Sequence, residues 1–353
     1  MLYFIILIAL FPIRLFWSHA NPRNNKNLIL QTAKIGDYIN TTCLINPLSS
    51  AENPVDLVID KSVEALASND PRVGSVYVIN PYKKNILMKL KLGLILLKQR
   101  YDQVVIVLPN QFNLFLGSFC TPVYKATIIP YEFGISSKIL TYNYDRLVSH
   151  SKNDLTIESY SKCLRGFEGA FFPKSLIVKK RFFFDDCFLN ERKKAGVTLS
   201  SGSAWKNIPA DEWIWFFKSL TKLGFEIVVI GTGADEQKLE KILSETKKSV
   251  TNYIGRIPLE DLPSLINTFT VVIGSDTGPI YIADALGIPC VVYSGPCHMV
   301  EQRPVGKVLI VDPSTEPARK SYIFDTIKHG DYANCYSTNE KIRRDIINFL
   351  TVL

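Results

Sequence analysis

The sequence has few of the side chains from which metal sites and disulfide frameworks are built. Its four histidines, His19, His150, His298 and His329, include no pair at helical i, i+4 spacing, and its seven cysteines include no Cys-x-x-Cys pair. Zinc sites and disulfide frameworks depend on such regular spacing. The census favours chemistry without a bound metal, no cofactor and a reducing compartment.

Acidic residues are also in deficit. There are 33 of them against 41 lysines and arginines, which gives a net charge of +8 and favours an acidic partner. The most basic segment, Lys83 to Arg100, holds six basic residues and no acid. Because no aromatic residues are interleaved with them and no nucleic-acid motif is present, we predict no nucleic-acid partner. A helix that touches an anionic membrane and a surface helix with a solvated face both stay open for this segment.

No apolar run is long enough to be an obvious membrane span. The longest, LYFIILIALFPIRLFW, is sixteen residues interrupted by Arg14, whereas a spanning helix needs roughly 20. A cleaved signal peptide, a signal-anchor and an interfacial helix are all compatible with it. Its basic neighbours, Arg23 and Lys26, follow the run instead of preceding it, which predicts that the next domain stays cytoplasmic. We expect residues 1–26 to be membrane-associated, with a hydrophobic extension packed on its own protein as the alternative.

From residue 27 onward, apolar strand patterns alternate with helical ones, which predicts an α/β fold with parallel sheets. The pattern restarts at Ala195, so we expect two α/β units joined by the charge-rich segment 174–194. The predicted domains are residues 27–180 and 190–335. A closing helix from about Glu340 to Leu350, within residues 336–353, is expected to pack back across them.

Ligands of such sheets bind at the carboxyl ends of the strands, so the loops there are the candidate sites. The first candidate is Gln31 to Asp37, in which Asp37 is either a general base or a cap of the next helix. The second contains Ser200, Ser201, Gly202 and Lys206. That loop is either a phosphate cradle with a lysine point charge or a polar loop with a solvated lysine.

Two further loops complete the set. Gly231 to Glu236 imitates the start of a dinucleotide-binding fingerprint, but Glu236 stands where the third glycine belongs, so a nicotinamide dehydrogenase is a weak hypothesis. The loop Asp276-Thr277-Gly278-Pro279 lies between an apolar strand and a short helix. It offers a carboxylate, a hydroxyl and backbone N–H groups at a helix start, with Gly278 as the expected cap, and this combination predicts an anion site.

Five segments occur in the order IGD, GSAWKNIPADEW, VVIGTGADE, NYIGRIPLEDLPSLI and IGSDTGPIYIADALGIPCVVYSGP. In this order and spacing they resemble glycosyltransferase family 9, the lipopolysaccharide heptosyltransferase family. The resemblance runs from about Leu28 to the C-terminal helix and is weakest across residues 50–190. It implies a GT-B fold, in which two Rossmann-like domains face a cleft. The N-terminal domain of that fold receives the acceptor and the C-terminal domain binds a nucleotide-sugar, usually ADP-heptose. It also implies inversion at the anomeric carbon without a bound metal.

The resemblance also implies roles for individual residues. Asp37 would be the base that takes the proton of the acceptor hydroxyl, and Lys206 would offset charge on the departing diphosphate. Glu236 would hold the nucleoside of the donor. The remaining donor-binding residues would be Ser200, Ser201, Gly202, Asp276, Thr277, Gly278 and Tyr281. The family commonly has histidine where this chain has Tyr281, which leaves heptose, a hexose and an N-acetylhexosamine open as the transferred sugar.

The expected function is therefore an inverting glycosyltransferase acting on the lipopolysaccharide core at the cytoplasmic face of the bacterial inner membrane. Its acceptor would be an anionic glycolipid. A nucleotide-sugar epimerase or hydrolase of similar fold is the enzymatic alternative. A non-catalytic nucleotide-sugar-binding protein is a third, against which the joint presence of Asp37 and Lys206 argues.

Overall fold

The computed structural model describes residues 2–20, 25–169, 171–178, 192–327 and 330–353. The chain divides into two compact units, Met1–Ile177 and Val178–Leu353. The predicted join at residues 174–194 spans this division, and its middle part, residues 179–191, lies outside the described residues.

The first unit contains a parallel sheet of six strands in the order β3-β2-β1-β4-β5-β6. Strands of such sheets are apolar throughout because helices cover both faces, and all five residues of the second strand are buried. The strands are β1 Asn27–Gln31, β2 Val55–Ile59, β3 Val73–Val78, β4 Gln103–Ile106, β5 Tyr124–Pro130 and β6 Arg146–His150.

The second unit repeats this plan, with sheet order β12-β11-β10-β7-β8-β9 and parallel pairing throughout. Counted from its own first strand, the order is the same 3-2-1-4-5-6 as in the first unit, which is the doubly wound Rossmann arrangement. The predicted α/β class is confirmed. The strands are β7 Lys194–Thr198, β8 Glu226–Ile230, β9 Thr251–Asn252, β10 Val271–Ser275, β11 Cys290–Tyr293 and β12 Val308–Val311.

Helices connect the strands and cover the sheets. One helix of the second unit supplies three large aromatic side chains to its core, and Trp213, Phe216 and Phe217 are fully buried there. Ile346 and Leu350 of the last helix join the same core. The helices are α1 Leu2–Ala9, α2 Phe11–Ala20, α3 Ile35–Leu48, α4 Glu64–Ser68, α5 Ile86–Gln99, α6 Gln111–Phe119, α7 Ile135–Leu140, α8 Thr156–Ser161, α9 Ala210–Lys222, α10 Glu236–Thr246, α11 Leu262–Ile266, α12 Gly278–Ala285 and α13 Glu340–Thr351.

The two N-terminal helices pack on the first unit. Leu7 is buried in its core, and the Arg14 guanidinium is buried against the end of α6, where it donates to the Phe119 carbonyl at 3.2 Å and to the Ser118 carbonyl. The C-terminal end of a helix dipole is negative, so it stabilises a cation there. In the described part of the chain, no helix has the length and apolar character of a membrane span.

Candidate active site

The candidate site of the second unit lies where its strand order reverses. β7 and β10 are neighbours, but their connections leave toward opposite edges of the sheet, so a crevice opens at their carboxyl ends. Gly274 permits this close pairing, because a Cβ there would overlap the Thr198 hydroxyl. The loops that carry Lys206 and Asp276 therefore leave the sheet side by side.

Lys206 and Asp276 form an ion pair although they are 70 residues apart in sequence. The lysine ends a short helical turn, Ala204–Lys206, and its Nζ lies 5.1 Å from the centroid of the Trp205 ring. The two side chains are 22% and 15% exposed. This partial exposure leaves the pair accessible to a ligand while protecting it from full screening by water.

Tyr281 holds the other oxygen of the same carboxylate. Its hydroxyl donates to Asp276 Oδ1 at 2.6 Å and also lies 3.4 Å from the Gln302 carbonyl. Burial alone would raise the pKa of Asp276, but the Lys206 charge and the hydrogen bonds from Lys206 and Tyr281 outweigh burial and hold that pKa below its ordinary value. Burial, reinforced by the Asp276 charge, raises the pKa of Tyr281 well above its ordinary value. At neutral pH the cluster is therefore a carboxylate held by an ammonium group and a neutral phenol.

Helix α12 begins directly after this carboxylate. Its N-cap is Thr277, one residue earlier than the predicted cap Gly278, and Pro279 lies in the first turn. The Thr277 side chain makes no capping hydrogen bond. The helix ends as predicted, because Gly287 adopts the left-handed φ of 75° that glycine tolerates best. Pro279 has no N–H and the Ile280 N–H donates to the Thr277 carbonyl at 3.1 Å. The Gly278 N–H is thus the first-turn donor next to Asp276, where a helix start can bind an anion.

The serine loop after β7 is organised by hydrogen bonds of its own. Ser200 donates its hydroxyl hydrogen to Asp235, whose other oxygen accepts the Thr232 N–H at 2.9 Å. The Ser201 hydroxyl donates to the Ser203 carbonyl at 2.9 Å. A Cβ added at Gly202 would meet open space. The structure therefore places these residues at the predicted strand end, with Ser200 already engaged by an acid.

Asp235 was missed by the sequence reasoning, which considered only its neighbour Glu236. The signal was present as a capping box, since Thr232 and Asp235 stand three residues apart before a helix. Glu236 lies at the start of α10, and its two carboxylate oxygens accept from Asn252 Nδ2 at 3.0 and 3.3 Å. Both acids thus stand at the carboxyl edge of the sheet.

Asp37 lies in the first unit, after β1. The N-cap of α3 is Lys34, and Asp37 is inside the first turn, so its interpretation as the helix cap is wrong. The side chain is half-buried. Burial and the Asp37 charge together raise the pKa of Tyr160, which locates the carboxylate near that buried phenol. A half-buried carboxylate at a strand end is suited to accept a proton.

The strand ends of the first unit carry a polar group that the sequence reasoning missed. The Thr32 hydroxyl accepts from Asn113 Nδ2 at 2.9 Å and from Asn110 Nδ2 at 3.4 Å. Asn110 is also the N-cap of α6, where its side chain accepts two backbone N–H groups. An asparagine between an apolar strand and a helix was the available signal. These contacts fix the loop that leads from β1 to Asp37.

Comparisons with known proteins agree with this fold. The family model described as glycosyltransferase family 9 (heptosyltransferase) matches residues 89–322. No curated protein sequence matches the chain.

Three solved structures are similar to nearly the whole chain. A glycosyl transferase family 9 protein from Veillonella parvula is 15% identical, with a TM-score of 0.71 over 94% of this chain and 98% of its own. ADP-heptose lps heptosyltransferase II of E. coli is 17% identical, with a TM-score of 0.69 over 93% and 98%. E. coli heptosyltransferase WaaC with ADP is 16% identical, with a TM-score of 0.67 over 92% and 99%.

Proposed function

Because the chain belongs to glycosyltransferase family 9, we propose that it is an inverting, metal-independent transferase that moves heptose from ADP-heptose onto the lipopolysaccharide core. The observation that carries this proposal is the cluster of Lys206, Asp276 and Tyr281 at the strand-order reversal of the second unit. Similar structures include a heptosyltransferase with bound ADP, which supports a nucleotide-sugar donor.

The proposed reaction is a single displacement. An acceptor hydroxyl attacks the anomeric carbon while Asp37 takes its proton, and the bond from that carbon to the donor phosphate oxygen breaks. The nucleoside diphosphate leaves with the electron pair, so negative charge develops on its terminal phosphate. Lys206 and the Gly278 N–H at the start of α12 stabilise this charge, as preorganised donors aimed at developing charge do.

Asp276 is assigned to positioning within this scheme. A bare carboxylate beside a diphosphate would repel it, but here each oxygen is occupied, one by Lys206 and one by Tyr281. The carboxylate therefore fixes the direction in which the lysine points. A fixed ammonium group costs less reorganisation at the moment of reaction than a mobile one.

Tyr281 favours a second candidate for the donor. Its phenol is fully buried and hydrogen-bonded to Asp276. This position therefore supplies an uncharged hydrogen-bond donor, where an imidazole could carry positive charge. A sugar with a different pattern of hydroxyl groups, a hexose or an N-acetylhexosamine, is the alternative to heptose.

The proposed acceptor is an anionic glycolipid at the cytoplasmic side of the bacterial inner membrane. The net charge of +8 supports an anionic acceptor. The exposed apolar face of the N-terminal helices supports a membrane setting.

The test is donor-dependent release of nucleoside diphosphate by the purified full chain, with ADP-heptose and UDP-sugars compared, in the presence and absence of truncated core glycolipid. We expect release to require the glycolipid and to fall about 10²- to 10⁴-fold in Asp37→Asn, the range that a general base contributes. Asp211→Asn is the matched control, because Asp211 is an exposed acid in the first turn of α9.

Each part of this assay has a result that would contradict the proposed function. Release without glycolipid would make the protein a hydrolase or an epimerase instead of a transferase. Full activity in Asp37→Asn would remove the base from the mechanism. A preference for a UDP-sugar would replace heptose by the second candidate.

A further inference from the structure

The two N-terminal helices are apolar on both sides, and one side packs on the core of the first unit. Tyr3, Ile6, Leu7 and Leu10 follow the i, i+3, i+4, i+7 spacing of a helix face and pack on the first unit. The Tyr3 ring lies 4.8 Å from the Phe115 ring, centroid to centroid. This inner face is ordinary domain core.

The opposite side of the same helices is exposed and equally apolar. We call it the outer apolar face; it ranges from 45% exposed at Ile13 to 67% at Phe16. It holds seven of the 17 exposed large hydrophobic residues found in the described part of the chain. Contiguous apolar patches of this kind mark interaction surfaces on proteins. Its members are Leu2, Ile5, Ile8, Phe11, Ile13, Leu15 and Phe16.

A second exposed stripe lies on α5, the helix packed against α2. Leu87, Lys91, Leu94 and Lys98 follow one another at helical spacing on its exposed side, and we call them the leucine-lysine stripe. Leu87 is 73% exposed. The stripe borders the N-terminal helices, because Lys98 Nζ lies 5.0 Å from the centroid of the Trp17 ring on α2. No acidic residue occurs between residues 83 and 100.

We propose that the outer apolar face and the leucine-lysine stripe together form a docking surface for an anionic phospholipid bilayer. Apolar side chains beside lysines are the pattern of helices that lie in the membrane interface. The apolar groups would enter the boundary between headgroups and acyl chains. Each exposed lysine would add about 1 kcal/mol of attraction to an anionic leaflet. The helices lie in the interface and do not cross it, since ten residues of helix extend only about 15 Å.

A second copy of the chain fits this surface less well. A two-fold interface brings the same patch together with itself, so the leucine-lysine stripes would meet with like charge and no acid between residues 83 and 100 to offset it. An anionic bilayer satisfies the apolar groups and the lysines at once. This inference concerns binding alone, so it can fail while the proposed transfer reaction stands, and the reverse.

The test is co-sedimentation of the full chain with phosphatidylcholine vesicles, with and without phosphatidylglycerol. We expect strong binding only with phosphatidylglycerol, and weaker binding as salt is added. In Ile5→Glu/Ile8→Glu binding should be lost. In Lys91→Gln/Lys98→Gln the partition coefficient should fall about 25-fold, which is about fivefold for each lysine. Val352→Glu, an exposed apolar residue of the second unit, is the matched control and should bind like the wild type.

Two results would overturn the proposal. One is equal binding of wild type and Ile5→Glu/Ile8→Glu to anionic vesicles. The other is no vesicle binding by a wild type that sediments as a dimer and becomes monomeric in that variant, which would assign the face to a second copy. Thermal unfolding of each variant shows whether it is folded. The lysine variant changes only exposed side chains and so decides the question even where the glutamate variant is unstable.

Discussion

Removing one oxygen atom tests the cluster at the candidate site most directly. Tyr281→Phe keeps the buried ring and deletes the hydroxyl that donates to Asp276 Oδ1 at 2.6 Å. A hydrogen bond to a charged group contributes roughly 1.5–3 kcal/mol, so we expect the free energy of unfolding to fall by about 2 kcal/mol at pH 7. Because that hydrogen bond stabilises the charged carboxylate, its loss should let the pKa of Asp276 rise toward its ordinary value.

The difference in unfolding free energy between wild type and Tyr281→Phe should depend on pH. The folded-state pKa of Asp276 is depressed, so its contribution to stability is present above the unfolded pKa of about 3.9 and is lost as pH falls through the folded value. The stability gap between wild type and Tyr281→Phe should therefore narrow in acid. The assay is urea unfolding at a series of pH values, down to the lowest at which the wild type stays folded.

A buried tyrosine elsewhere provides the comparison. Tyr38 is fully buried, and among the described residues its hydroxyl has no hydrogen-bond partner. Tyr38→Phe should therefore leave stability nearly unchanged or raise it slightly. A Tyr281→Phe gap no larger than that of Tyr38→Phe, or one that does not change with pH, would refute the assigned hydrogen bond.

Three further predictions concern charge and metal. Lys206→Met should lower kcat about 10²- to 10³-fold at a saturating concentration of nucleotide-sugar, as loss of one preorganised hydrogen-bond donor to developing charge does. Lys206→Arg should recover part of the loss. Equal activity of the Met and Arg variants would contradict this role of the lysine. Burial lowers the pKa of Lys125 to about 8. Between about pH 8 and about pH 10 the unfolded chain therefore binds more protons at Lys125 than the native state does. The free energy of unfolding rises with pH across this window as a result. The stabilisation of Lys125→Met over wild type should therefore shrink by roughly 2 kcal/mol across that window, which urea unfolding of both proteins at about pH 8 and about pH 10 would measure. Turnover should survive dialysis against a chelator; a loss that a divalent cation restores would contradict metal independence.

Local pattern predicted the architecture and the loops of the candidate site. Apolar strands followed by polar loops placed Asp276 and the Lys206 segment at strand ends, and the structure has them there. The reason is that burial on both faces of a parallel sheet leaves a continuous apolar run that is easily read in the sequence. Gly287 was likewise predictable, because a left-handed residue after a helix favours glycine.

Contacts between distant segments could not be predicted in this way. Nothing local to Lys206 indicates Asp276 as its partner 70 residues later, and nothing near Ser200 indicates Asp235. The buried Arg14 was unexpected for the same reason, since its hydrogen bonds go to carbonyls of α6. Even the local interpretation of Asp37 as a cap was wrong, because the chain enters α3 at Lys34.

The long sequence separation between Arg14 and the α6 carbonyls that it binds has a consequence for the synthesis of the protein. The hydrogen bonds to Ser118 and Phe119 span 104 and 105 residues. At about 5–20 residues per second, a ribosome needs roughly 5–20 seconds to extend the chain by that length. For that interval the growing polypeptide lacks the end of α6, so the inner face of α1 and α2 is not yet fully covered. The same helices are thus available to chaperones or to a bilayer before the domain that later holds their inner face has been synthesised.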